Sequence, residues 1–498
     1  MSEPVILLCT LNAKYIHCSL GLRYLYANIG ELQHQTEIME FMINQRPIDI
    51  AEIILHKNPA IVGMGIYIWN IQQSTEVISI LKALKPGIKI ILGGPEISYE
   101  TEASPAYPHA DFILRGQADL ELKILCTNIL NEEHFLNKIN DAAPFHPKEL
   151  KLPYRFYTDE DIRQRVIYVE ASRGCPFKCE FCLSALDKTS QAFDIDEFLQ
   201  QMEELYQRGA RHFKFVDRTF NLNIKTSQKI LNFFLSKPLN DLFLHFELIP
   251  DRLPEALKDL IQQFPAGALQ FEIGIQTFNP EVQQIISRKQ DHQKTVTNLD
   301  YLFTQTEVHL HTDLIAGLPG EDIHSFAKGF DLLVELKAQE IQMGILKRLR
   351  GTPIIRHTEN YHMVFNPNPP YTVLSTKHMD SQTLFRINRF ARYWDMIANS
   401  GRFSNTLPEI LSKQPFDNFM NLSDWLFETT EQTHKIALPR LFKLIYQFYK
   451  SSESIMNNLE QDFNKTGIKS LFSSVTEENS QNIKSLQAAS SRQKRHLN

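Results

Sequence analysis

The sequence predicts an α/β protein in three parts: an N-terminal Rossmann-like, doubly wound sheet, a central (β/α)6 partial TIM barrel, and a helical C-terminal extension. Three observations carry this. As far as Gly351, short apolar runs of strand length recur, each followed by an amphipathic stretch of helical length. The runs are continuous rather than alternating, as strands read when helices cover both faces of a parallel sheet. After Gly351 the strand-like runs stop and long helical segments replace them.

In the first part the runs are VILLC (5–9), TEIMEF (36–41), AIVGMGIYIW (60–69), KIILGG (89–94) and ADFILRG (110–116), with helical segments at 19–30, 48–57 and 72–84 between them. An open sheet of this kind binds ligands outside the carboxyl ends of its strands. Residues 132–160 carry several prolines, mixed charge and no sustained period, which reads as a linker. A second alternation begins at VIYVEASRG (166–174). It continues through HFKFVDRTF (212–220), LFLHFELIP (242–250), LQFEIGIQT (269–277), VHLHTDLIAG (308–317) and IQMGILKRL (341–349). Helical stretches at 194–207, 226–236, 254–262 and 322–336 separate these runs, and six such units suit a partial barrel whose active residues gather at the strand C-termini. FNPNPPY (365–371) is loop, 376–399 and 434–450 are helical, and the Ser-, Gln- and Asn-rich end from about residue 473 has too little to bury and is predicted disordered. The expected domains are 1–130, a linker at 131–160, 161–353, 354–472, and a tail at 473–498.

Composition narrows the class. With 43% hydrophobic and 22% charged residues the chain reads as globular, and a net charge of −6 offers no global basic field for nucleic acid. MSEPVILLC lacks the basic n-region of a signal peptide. No apolar run approaches the ~20 residues that span a bilayer. The expectation is a cytoplasmic protein without membrane contact. Six cysteines are too sparse for a disulfide scaffold, and three of them fall within eight positions. In a reducing compartment such clusters bind metal or do chemistry.

The cluster is Cys175-Pro-Phe-Lys-Cys179-Glu-Phe-Cys182, directly after a predicted strand and preceded by Ser-Arg-Gly. Three thiolates at this spacing can wrap three corners of one iron–sulfur centre. Gly174 and Pro176 favour a tight non-helical path that frees backbone amides for the cluster sulfides. Three ligands leave a fourth iron open to a chelating cofactor. Other readings are three unrelated buried thiols, a zinc site completed by His212 or Asp187, and an electron-transfer cluster. The last lacks a fourth cysteine after Cys182.

C-x-x-x-C-x-aromatic-C at the end of the first strand of a six-unit β/α domain resembles the signature of the radical S-adenosylmethionine superfamily. The resemblance covers roughly residues 165–353. It implies a 4Fe–4S cluster on Cys175, Cys179 and Cys182 whose open iron binds S-adenosylmethionine, and whose reduction yields a 5′-deoxyadenosyl radical. It further implies that the backbone at Phe181 lies near the adenine. Asp217 stands where the family has an acidic or Gly-rich turn meeting the cofactor's amino group, although Val216-Asp217-Arg218 departs from the Gly-Gly-Glu form. Glu247 matches the third-strand acid on the ribose hydroxyls. Gln276 and Arg288 match a polar pair of the coproporphyrinogen-oxidase-like branch on the ribose and carboxylate, and Asp313 matches that branch's fifth-strand turn. An electron donor such as flavodoxin or ferredoxin follows from the same resemblance.

The open α/β domain ahead of the barrel looks like the cobalamin-binding domain of cobalamin-dependent radical enzymes. Tyr67, at the end of Gly65-Ile66-Tyr67, and Gly93 and Gly94 are its expected contacts, with Arg115-Gly116 nearby. No D-x-H-x-x-G stretch is present, so no histidine stands in the usual place to ligate cobalt. Cys9, Cys18 and Cys126 invite the thought of a second cluster, as in methylthiotransferases that modify tRNA. Cys9 falls within a strand and Cys126 on an apolar helix face, which suits core. The expected activity is radical-based methylation or rearrangement of an unreactive carbon with cobalamin as methyl carrier. The alternatives are an RNA methylthiotransferase and a non-catalytic iron–sulfur or zinc module. Phe385, Phe390, Tyr393 and Trp394 at helical spacing suit core better than a barrel mouth.

Overall fold

A computed structural model describes residues 5–133 and 137–468, so the tail predicted as disordered, 473–498, lies outside the described residues. The first sheet has six parallel strands: β1 (Ile6–Asn12), β2 (Thr36–Met42), β3 (Ile61–Gly65), β4 (Lys89–Gly93), β5 (Phe112–Arg115) and β6 (Ile139–Asp141). Their order is β2-β1-β3-β4-β5-β6, so the winding reverses between β1 and β3. A reversal of this kind opens a crevice at the carboxyl edge of the sheet.

The continuous apolar runs have a simple cause. Along β1, Leu7, Cys9 and Leu11 join one core with Ile50, Ile54, Val77 and Leu81 of the helices Pro47–His56 and Ile71–Leu84. Ile6 and Leu8 join the opposite core with Leu22 of the helix Leu20–Asn28 and Leu122 and Leu125 of the helix Glu121–Leu130. Side chains alternate between faces, and both faces are dry. Part of the stretch read as linker is sheet: β6 pairs in parallel with β5. Ile-Asn-Asp has only one apolar residue at an edge, so no pattern announced it.

The second sheet is built from β7 (Ile167–Val169), β10 (His212–Phe215), β11 (Phe243–Leu248), β12 (Leu269–Gln276), β13 (His309–Ala316) and β14 (Glu340–Ile345), in the order β14-β13-β12-β11-β10-β7. Between β7 and β10, a two-residue antiparallel ribbon joins β8 (Ser172–Arg173) to β9 (Gln191–Ala192). The helices Ile195–Gln207, Ile224–Leu235, His292–Gln305, Ile323–Glu335 and Ser381–Ile397 each start where Asp194, Asn223, Asp291, Asp322 or Asp380 accepts from a first-turn N–H. Each such cap contributes about 1 kcal/mol. On β12, Phe271, Ile273 and Ile275 are buried while Gln270, Glu272 and Gln276 take the other face.

By compactness the chain divides into Met1–Arg218 with Arg348–Pro353 and Pro367–Tyr371, and the remainder. Within the second unit the C-terminal helices close an aromatic core in which Phe390, Phe416 and Trp394 surround Phe330, and Phe419 packs on Phe390 and Trp394. Phe390, Tyr393 and Trp394 are core, and only Phe385 of that group is exposed. Among the described residues no helix is long and apolar enough to cross a membrane.

Candidate functional site

The thiol loop leaves β7 under tight control. Asp217, just past β10, accepts from the Ala171 N–H at 3.0 Å and from the Ser172 hydroxyl at 2.6 Å. Burial pushes its carboxyl up to about 7 despite these bonds. Its visible work is therefore to hold the chain entering the loop. At Gly174, φ is +89° and a Cβ would stand 2.3 Å from the Thr189 carbonyl oxygen, so only glycine fits. Beyond it the Cys175 N–H donates to the Asp187 carbonyl at 3.3 Å, and the Cys182 N–H to the Cys179 carbonyl at 3.1 Å.

Cys175 and Cys179 are buried, while Cys182 and Phe181 are half-buried. The Cys175 thiol is raised chiefly by burial and further by the charges of Cys182 and Cys179. Those are the mutual repulsions that a shared metal centre relieves, and the donor set suits an iron–sulfur cluster with one corner left open. Among the described residues, no three His, Cys, Asp or Glu side chains are already drawn into metal-ligand geometry. His212 opens β10 at the opposite strand end, and the Asp187 carboxylate accepts from the Thr189 hydroxyl at 2.6 Å and the Gln117 amide at 3.0 Å. Neither is disposed to complete a zinc site.

In the second unit the polar residues gather around one glycine. Gln276 ends β12 in the left-handed region with φ +69°, after a register shift at Gly274. Such strain persists where surrounding structure imposes it, often at ligand sites. A Cβ on Gly274 would meet the Gln276 Nε2 at 2.4 Å, the Arg288 guanidinium donates to the Gly274 carbonyl, and Asp313 is the register partner of Gly274 on β13. The buried Gln276 Oε1 has no hydrogen-bond partner among the described residues, an acceptor waiting for a donor. Asp313 sits inside β13 rather than in the turn after it, 3.4 Å from His311. Glu247 lies near the end of β11, beside Glu272.

The first unit also holds a cavity of about 300 Å³ at the carboxyl side of its sheet, lined by Tyr67, Gly93 and Gly94 together with Gly21, Gly65 and Gly116. Where side chains would stand, glycines leave room for a broad ligand. Gly94 has a second duty: with φ +104°, a Cβ there would come within 2.5 Å of the Ile66 carbonyl oxygen. Tyr67 is fixed at the rim by stacking on Trp69 at 4.4 Å. Arg115 faces away in an ion pair with Asp141 at 2.6 Å.

Cys9 and Cys18 have thiol pKa values driven up by burial, and burial pushes Cys126 up to about 12. They are packing residues on β1, against Asp161 and on the helix Glu121–Leu130.

Sequence reasoning missed Gly274, the cavity-lining Gln117, Asp119 and Arg173, and Glu321. Glu321 is buried, accepts from the Thr277 hydroxyl at 2.5 Å and is pushed up to about 7 by burial. The only usable signal was a glycine inside a strand, which marks close approach.

Three family models match separate stretches of the chain. Residues 6–125 match the B12 binding domain family, 169–333 the Radical SAM superfamily, and 359–498 a family of unknown function, DUF4080. An uncharacterized methyltransferase, PH0819, from Pyrococcus horikoshii is 23% identical over 75% of this chain and 86% of its own length. The cobalamin-dependent radical SAM methyltransferase TokK from Streptomyces tokunonensis is 23% identical over 58% of this chain, but only 47% of its length is covered. The solved structure of the cobalamin-dependent S-adenosylmethionine radical enzyme OxsB with aqua-cobalamin superimposes with a TM-score of 0.64 at 13% identity, covering 99% of this chain and 84% of that one.

Proposed function

We propose that this chain, a radical SAM protein with an N-terminal B12-binding domain, is a methyltransferase acting on an unreactive carbon. One observation supports it most. The glycine-lined cavity of the first sheet has Arg173 in its wall, two residues ahead of Cys175, so the space suited to cobalamin adjoins the loop suited to a cluster. When bound, the cluster supplies an electron for reductive cleavage of S-adenosylmethionine, and cobalamin supplies a carrier for the methyl group.

The chain's own residues then have distinct tasks. Cys175, Cys179 and Cys182 hold the cluster. Gly93, Gly94 and Tyr67 receive the corrin and its tail, and Asp217 orders the strand exit before the thiols. Gln276, Arg288, Glu247 and Asp313 would orient S-adenosylmethionine, and the Phe181 backbone would serve its adenine. The reading includes an external electron donor and a cytoplasmic setting, which six free cysteines suit. The methylthiotransferase alternative lacks a second thiol site, since Cys9, Cys18 and Cys126 are core. Names of relatives that include methyltransferase add support.

The test is anaerobic. Protein reconstituted with iron, sulfide and hydroxocobalamin is given S-adenosylmethionine and a strong reductant. Both 5′-deoxyadenosine and S-adenosylhomocysteine are expected, the second from recharging the methyl carrier. Formation of 5′-deoxyadenosine without S-adenosylhomocysteine would refute methyl transfer.

A further inference from the structure

The loop Gly116–Asp119 leaves the end of β5 and forms part of the cavity wall. It also grips the neck of the thiol loop from both sides. On the entering side, Arg173 Nη1 donates to the Asp119 carboxylate at 2.9 Å and to Gln117 Oε1 at 3.3 Å. On the returning side, Gln117 Nε2 donates to the Asp187 carboxylate at 3.0 Å. One side-chain amide therefore bridges the two strands of the neck. The neck itself is closed by the pairing of Arg173 with Gln191 and by the Cys175 N–H on the Asp187 carbonyl at 3.3 Å. Arg173 is held further by Glu170 at 2.7 Å and lies 4.7 Å over the ring of Tyr24, on the helix that supplies Gly21 and Leu22 to the cavity.

We infer that Gln117 and Asp119 are positioning residues that link the occupancy of the cavity to retention of the cluster. The inference rests on the reading that cobalamin fills this cavity and an iron–sulfur cluster the thiol loop. A ligand seated against Gly116–Asp119 restricts the loop that carries Gln117 and Asp119. Those two side chains then hold Arg173 and Asp187, and with them both ends of the thiol loop, in one arrangement. Linkage is reciprocal, so a seated cluster must favour corrin binding by the same factor.

The experiment uses full-length, anaerobically reconstituted protein. Hydroxocobalamin affinity is measured by its visible absorbance with the cluster in place and after its removal. Loss of iron to a chelator is timed with and without hydroxocobalamin, and the reduced cluster's EPR spectrum is recorded in both states. For the wild type each ratio should be at least about fivefold, the low end of ordinary coupling, and the spectrum should shift with corrin. Gln117→Ala and Asp119→Asn should bring both ratios to one and abolish the spectral shift, while Asp119→Glu restores part of the coupling. The readout is a ratio, so a change in either affinity alone does not enter it. Wild-type protein that binds hydroxocobalamin equally well with and without its cluster overturns the linkage and leaves the cobalamin reading standing. Variants that keep the wild-type ratios overturn the assignment to these two residues. Wild-type protein that retains no corrin at all overturns the cobalamin reading, and the linkage with it.

Discussion

Gly21→Leu separates blocking the cavity from damaging the fold. Gly21 lies in the helix Leu20–Asn28 at the exposed edge of the cavity. A Cβ there meets only the Tyr67 hydroxyl, at an ordinary 3.5 Å, and the backbone is not in the left-handed region. Replacing a helical glycine gains up to ~0.8–1 kcal/mol of helix propensity, so melting temperature should hold or rise slightly. The isobutyl group, by contrast, occupies part of a space of only about 300 Å³. Forcing a ligand against an overfilled wall costs roughly 1–3 kcal/mol, which is about 5- to 150-fold in affinity at 1.4 kcal/mol per decade. The assay is equilibrium dialysis of hydroxocobalamin against full-length protein, with thermal unfolding measured in parallel. Wild-type affinity in a folded Gly21→Leu protein would refute the assignment of the cavity to cobalamin. Gly94→Ala is the instructive contrast. Its Cβ strikes the Ile66 carbonyl at 2.5 Å with φ +104°, so left-handed strain of roughly 1–2 kcal/mol and the clash should lower the melting temperature as well as binding.

Three further outcomes are expected. Cys175→Ala, Cys179→Ala and Cys182→Ala should each lose reconstituted iron, whereas Cys9→Ala, Cys18→Ala and Cys126→Ala should keep wild-type iron content; equal loss in both groups would contradict a single cluster on the loop. Gly274→Ala should displace the Gln276 amide and weaken S-adenosylmethionine binding with the cluster intact, by roughly 1–3 kcal/mol for disrupted hydrogen bonds to a buried polar ligand; calorimetry showing no change would remove Gln276 from the site. Glu321 is raised by burial from 4.5 to about 7, so its neutral form is the one the fold favours. That contribution is full below pH 4.5, is lost as pH rises through about 7, and amounts to at most ~3 kcal/mol. Glu321→Gln should therefore flatten the fall in melting temperature between acidic and mildly alkaline pH, and an unchanged slope would show that burial does not raise the Glu321 carboxyl above its unfolded value.

The architecture was legible because its signals are local. Strands buried on both faces read as unbroken apolar runs, and all five such runs predicted for the first sheet and all six for the second correspond to strands. The cysteine spacing and the paired glycines at 93–94 were legible for the same reason, since each is a short-range constraint on backbone path. What local pattern cannot carry is the partner of a side chain far along the chain. Nothing near Asp217 in the sequence announces that its carboxylate accepts from Ala171 and Ser172, 46 and 45 residues away. Strand β6 stayed hidden because three mostly polar residues at an edge leave no period to read. Gln117 belongs to no local motif, yet its amide joins Arg173 and Asp187, 56 and 70 residues further on. Spacing determined which thiols can share one centre; only the packing of a cavity wall against the neck of their loop decided which residues hold that loop in place.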